Sequence, residues 1–293
     1  MSNRQQHTPL VTLPSRWWVE GVLSEHEVAA LVQDRAKVAQ KCTGKAKKPV
    51  FLFAHHVVKG PWRLPKDGAR LSRELGRAAV MRAWARPEHP DTVLKPSLLR
   101  HPDTQGVYLV TDALHRPETE DHPWVIEAES ASVSLVGPRT LQVVSRASTG
   151  VVRVSDRVKA EPEYLQAHPE VWEHLVHRCL LGCGDSGLHN MLVRPSDDRA
   201  IGVDLDENRR LQTLDELPEA WMGLLFKSRP SRKTRDALER ARQTHHRWLV
   251  GLIAHLGQVC DDDVTRALFE EHGLEPRETQ AILARIASSL LAY

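Results

Sequence analysis

The chain has 293 residues, 41% of them hydrophobic and 27% charged, an ordinary globular composition able to bury a sizeable core in one large domain or two lobes. Its 40 basic and 38 acidic residues leave a net charge of +2, so the overall balance points to neither a nucleic-acid nor a membrane partner, and electrostatic recognition has to be local. Four cysteines without a Cys-x-x-Cys pair do not make a disulfide framework, and reduced thiols are expected.

The chain opens on "MSNRQQHTPL", which lacks the hydrophobic segment of a signal peptide, and its longest apolar stretch, "WLVGLIAHLG", falls short of the ~18–20 residues a membrane span needs. An intracellular, cytoplasmic protein without a transmembrane segment is expected. Ser24 and Glu27 have the spacing of a capping box ahead of a helical pattern, which predicts a first helix over about 25–41. The basic "KCTGKAKK" follows, then "PVFLFAHHVVKG", whose apolar run reads as a buried strand ending near Lys59. Residues 67–86 place Leu71, Leu75, Ala78, Ala79 and Ala83 at helical spacing, with Glu74 among them. "DTVLKPSLL" and "GVYLVTDAL" read as short strands separated by the turn "RHPDTQG".

The polar "HRPETEDHP" reads as a linker, and a lobe boundary is expected near it. The alternating "ASVSLV", "TLQVVS" and "GVVRVSD" predict further strands. Helices are expected over 168–181, 234–256, 262–271 and 277–291. His174, His177, Cys179, Cys183 and His189 match no common zinc spacing, and packing is their expected role.

Chemistry concentrates at "LGCGDSGLHNMLV" and "IGVDLDENR". Asp185 and Asn190 are five residues apart on a glycine-bracketed bend that can present both to one cavity. A turn with Pro195, Ser196 and Asp197 joins "MLVR" to "AIGV", so a hairpin is expected to return Asp204 beside Asn190. Two carboxylates and an amide are what phosphoryl transfer asks of a protein, because its catalysis is mostly positioning and charge neutralisation, and magnesium prefers oxygen ligands.

"LGCGDSGLHNMLV" followed by "IGVDLDE" resembles the catalytic and metal-binding loops of the protein-kinase-like superfamily, closest to its phosphatidylinositol 3- and 4-kinase branch. The resemblance covers about 59–209 in outline and 181–206 with specificity. It implies an α+β, two-lobed kinase-like fold with a strand-rich N-terminal lobe and a mainly helical C-terminal lobe. Residues 1–44 are then an N-terminal segment with a helix, 45–114 the nucleotide-binding lobe, and 115–293 the linker and helical lobe. It implies ATP and Mg2+ as cofactors, Asp185 as the catalytic-loop aspartate, and Asn190 and Asp204 as magnesium ligands. Lys59 resembles the lysine that contacts ATP phosphates, Lys95 competing for the role. Glu74 resembles its ion-pair partner, and Val110, Thr111 and Asp112 form the strand end facing adenine.

The implied activity is transfer of the γ-phosphoryl group to a hydroxyl on a protein, a lipid headgroup or a small molecule. Where the branch has Arg-His after the catalytic aspartate this chain has Ser186 and Gly187, and Leu205 and Asp206 replace Phe-Gly. These departures motivate the alternative of a pseudokinase, a nucleotide-binding or scaffolding module without transfer. Asp206 reads as a second metal ligand or a turn cap, and His189 as a phosphate contact or a hydrogen-bonded loop histidine. The basic segment 227–235 reads as a site for an acidic or phosphorylated partner or as a solvated loop.

Overall fold

The computed structural model describes residues 13, 15–33, 50–53, 55–114, 124–126, 131–135, 141–145, 152–183, 188–194, 196–205, 231–259, 262–271, 274 and 276–291. Within them the protein is α+β. A strand-rich first half carries a seven-stranded sheet, and a mainly helical second half carries a three-stranded one.

The first half begins with helix α1 (Glu25–Gln33), started by the expected capping box. The backbone N–H of Ser24 donates to Glu27 Oε2 at 2.8 Å, and the Glu27 N–H donates to Ser24 Oγ at 3.3 Å. The remainder of the expected helix, to residue 41, lies outside the described residues. The apolar run after it is a hairpin rather than one strand: β1 (Val50–Leu52) and β2 (His56–Trp62) pair antiparallel, Val50 opposite Lys59. The reversal is closed by the Phe53 N–H donating to the His56 carbonyl at 2.8 Å. Strand β2 runs on past Lys59 to Trp62.

Helix α2 (Leu64–Trp84) follows at once, with a proline in its first turn and Asp67 accepting the Arg63 N–H at 2.9 Å. Strands β3 (Ser97–Arg100) and β4 (Val107–Asp112) form the next hairpin, with Leu98 opposite Leu109. The expected linker, 115–123, lies outside the described residues. Beyond it, β5 (Trp124–Ile126), β6 (Ala131–Leu135) and β7 (Leu141–Ser145) hydrogen-bond into the same sheet through β1. The strand order is β3-β4-β2-β1-β5-β6-β7.

Alternation along the strands sorts this sheet's side chains to two faces. Leu98, Val107 and Leu109 meet Trp62 and the Leu71/Leu75 stripe of α2. Leu99, Tyr108 and Val110 meet Phe51, Val58 and Leu31 of α1. The sheet therefore lies between the two helices.

In the second half, β8 (Val152–Arg153) leads straight into α3 (Val154–Ala160), so among the described residues of "GVVRVSD" the strand gives way to helix after Arg153. Val154 and Val158, four apart on one helical face, are fully buried, and that burial overrides the β-preference of valine. Helices α4 (Tyr164–Ala167) and α5 (Pro169–Leu180) follow. Next come β9 (Met191–Val193) and β10 (Ala200–Gly202), the expected hairpin, with β8 on the other edge of β9.

The long α6 (Arg232–Val259), α7 (Asp262–Glu271) and α8 (Pro276–Leu291) stand where helices were expected, α6 a few residues longer. Ala241, Leu252, Leu256, Phe269 and Ile282 from these helices share one core with Trp172, Leu175 and Met191. Ala78, Met81 and Trp84 belong to that core too, so α2 packs on the sheet with its first half and on the helical core with its second. Among the described residues no helix is long and apolar enough to cross a membrane.

Candidate functional site

Lys59 lies at the middle of β2, and its ammonium meets carboxylates from two other elements. Nζ donates to Asp204 Oδ1 at 2.6 Å and to Glu74 Oε2 of α2 at 3.5 Å, and it stands 5.4 Å from the centre of the Trp62 ring. Glu74 is buried, while the Asp204 side chain keeps 44% of its surface exposed, so the cluster runs from the helix out to an accessible edge.

The hairpin carries Asp204 to this point. Met191 pairs with Gly202, and the ladder continues by one bond, the Val203 N–H donating to the Asn190 carbonyl at 2.9 Å. Asn190 and Asp204 therefore flank the open end of the hairpin. Gly202 also bonds sideways, its N–H donating to the Thr92 carbonyl at 2.8 Å. A Cβ there would run into the His174 ring of α5, which explains why glycine occupies the position. Asp204 adopts a left-handed backbone, φ 60°, a conformation that costs a non-glycine residue and persists where the surroundings impose it.

Two buried arginines form those surroundings. Arg178 of α5 donates from Nη1 to the Val203 carbonyl at 2.9 Å and from Nη2 to the Asp204 carbonyl at 2.8 Å. Arg77 of α2, one helical turn after Glu74, donates from Nη1 to the Leu205 carbonyl at 2.7 Å. Its Nη2 faces the Gly182 carbonyl at 3.4 Å and Glu278 of α8 at 3.3 Å. Arg178 Nη1 also lies 3.3 Å from His174 Nε2; an arginine can only donate, so that nitrogen accepts and the ring proton resides on Nδ1. Burial, and next the adjacent Arg178 charge, hold the His174 pKa well below its ordinary value, so the ring is neutral.

Of the residues singled out from sequence, the fold brings together Lys59, Glu74 and Asp204 by side chain and Asn190 through the hairpin backbone. Val110, Thr111 and Asp112 lie on β4 opposite Val58, Val57 and His56. Lys95 is exposed on the segment before β3, outside any strand. His189 sits half-buried in the single turn before β9. Asp185, Ser186, Gly187 and Asp206 lie outside the described residues, as do positions 227–230 of the basic segment; Arg232, Lys233 and Arg235 are exposed on the first turn of α6. Arg77 and Arg178 were not anticipated. Their signals were faint: an arginine three residues after Glu74, and another four after a histidine in a largely apolar helix.

Among the described residues no three His, Cys, Asp or Glu side chains gather as a metal site. The fold shows the Asp204 carboxylate at the hairpin end, with Asn190 placed there by its backbone; a carboxylate and an amide are hard oxygen ligands of the kind magnesium takes one or two at a time while substrate phosphates and water complete its shell. This donor set fits Mg2+ and does not fit a soft metal. Comparisons with family models, with curated proteins and with solved structures give no match for this chain.

Proposed function

We propose that the protein is an ATP- and Mg2+-dependent phosphotransferase with a two-lobed, protein-kinase-like arrangement, passing the γ-phosphoryl group to a hydroxyl acceptor. The observation that carries this reading is Lys59 held between Glu74 and Asp204, 15 and 145 residues away along the chain. Partly exposed ion pairs contribute little to stability. A lysine gripped by a helix carboxylate and a hairpin-end carboxylate therefore calls for a use beyond holding the fold.

Glu74 steadies the Lys59 ammonium, which neutralises nucleotide phosphate oxygens. Asp204 and Asn190 hold Mg2+, which when bound supplies further neutralisation of phosphate charge. The β4 end at Val110, Thr111 and Asp112 offers backbone groups to adenine, and Asp185 orients the acceptor hydroxyl. The acceptor class is a protein, a lipid headgroup or a small molecule, with the basic segment 227–235 available to an acidic or phosphorylated one.

The test is direct. ATP with Mg2+ is expected to raise the melting temperature, and ADP release or phosphate transfer should be measurable on a panel of hydroxyl acceptors. Asp204→Ala is expected to abolish magnesium-dependent turnover while leaving far-UV circular dichroism unchanged. Stabilisation by nucleotide with no transfer to any acceptor would favour the pseudokinase alternative, and an absence of stabilisation would reject both.

A further inference from the structure

We infer that Arg178 and Arg77 are positioning residues for Asp204: they hold the backbone of residues 203–205 so that the Asp204 carboxylate meets Lys59. Three consecutive carbonyls, of Val203, Asp204 and Leu205, accept guanidinium N–H groups at 2.9, 2.8 and 2.7 Å, and the donors come from two different helices. Both arginines are buried, at 0% and 1% exposure, where hydrogen bonds from a charged donor are strong and packing fixes their geometry. Asp204, at the centre of the three, has the left-handed φ of 60°. Bonds to the carbonyls on either side of such a residue determine which way its side chain leaves the chain, and here it leaves towards Nζ of Lys59.

The arrangement has a second consequence. Glu74 and Arg77 lie one turn apart on α2, so the helix that holds Lys59 also holds the Asp204 segment. A shift of α2 moves both halves of the cluster together. For its functional consequence the inference rests on the phosphotransferase reading; the geometry it asserts does not.

The experiment reads the geometry first. The protein is treated under native conditions with a small amine-acylating reagent, and labelling of Lys59 is quantified by mass spectrometry against the exposed Lys66 and Lys95. Asp204→Asn is expected to raise Lys59 labelling by roughly threefold or more, because it weakens the charge-assisted bond that holds the amine. Arg178→Lys and Arg77→Lys, which keep a cation but lose the fork, are expected to do the same. The double variant Arg178→Lys/Asp204→Asn should label no more than Asp204→Asn alone. In a second arm, ATP affinity is measured with Mg2+ and with EDTA. Arg178→Lys is expected to weaken binding about tenfold in Mg2+ and less than about twofold in EDTA, because Asp204 is displaced while Glu74 still holds the freed Lys59 near its place.

Unchanged Lys59 labelling in both lysine variants, alongside a rise in Asp204→Asn, overturns the inference. So does an additive double variant, or collapse of both lysine variants to unfolded chains, which would assign the arginines to stability alone. Failure of the wild-type protein to bind ATP at all would reject the phosphotransferase reading, while the labelling arm would still decide the positioning role.

Discussion

At Gly202 a hydrogen atom in place of a methyl group decides whether hairpin and helix can meet, because the His174 ring fills the space a side chain would need. The ring is buried and cannot swing away into solvent. Gly202→Ala is expected to destabilise the fold by about 1–3 kcal/mol, the usual cost of overpacking a tight contact; a urea melt with an unchanged midpoint would contradict this. Glu173, on the same helix as His174, carries a pH dependence of its own. Its side chain is fully buried, with the Arg86 N–H donating to Oε1 at 3.1 Å, and burial pushes its pKa up to about 7. Between the ordinary carboxylate range and about 7, the folded chain keeps a proton that the unfolded chain has released, so this residue's contribution to stability falls as pH rises through that window. Glu173→Gln is expected to gain about 3 kcal/mol relative to the parent between about pH 4 and pH 8. Denaturation at the two pH values checks it, and a difference independent of pH would refute it.

At the scale of elements, the reciprocal bonds between Ser24 and Glu27 satisfy backbone groups in the first turn of α1 that have no partner within the helix. Ser24→Ala is expected to cost about 1 kcal/mol and Ser24→Asp much less, measured by chemical denaturation; equal effects from the two would remove the cap from the account. This element was readable because its signal is local. The β9–β10 hairpin was readable for the same reason, its turn marked by proline, serine and aspartate. The β1–β2 hairpin was not, because the chain reverses between Phe53 and His56 within an apolar run that holds no glycine, proline, asparagine or aspartate to mark a turn. "GVVRVSD" misled for another reason: its valines suit a strand locally, and only the neighbouring core makes a helix of the last part.

Across the whole molecule, the order of strands before helices could be read from periodicity, and the pairing of Lys59 with Glu74 was expected because the helix bearing Glu74 directly follows the strand bearing Lys59. The arginine pair could not. An arginine in a helix ordinarily faces water, and nothing local announces that Arg77 and Arg178 point inwards at backbone carbonyls contributed by distant residues of the hairpin end. Nor could the double duty of α2, which belongs to the sheet's core at Leu71 and Leu75 and to the helical core at Met81 and Trp84. Burial on both sides of one helix depends on where distant segments return, which no window of neighbouring residues encodes.

The contact between Arg77 and Glu278 spans 201 positions. A ribosome delivers the chain from the amino end, and early segments fold as they emerge. The sheet and α2 can therefore form while Arg77 still waits for its carboxylate. Only when residue 278 has emerged can the guanidinium settle between Glu278 and the Leu205 carbonyl. The surroundings of Lys59 are thus completed only after α8 has been made, and a nascent chain that stops short of α8 lacks their finished geometry.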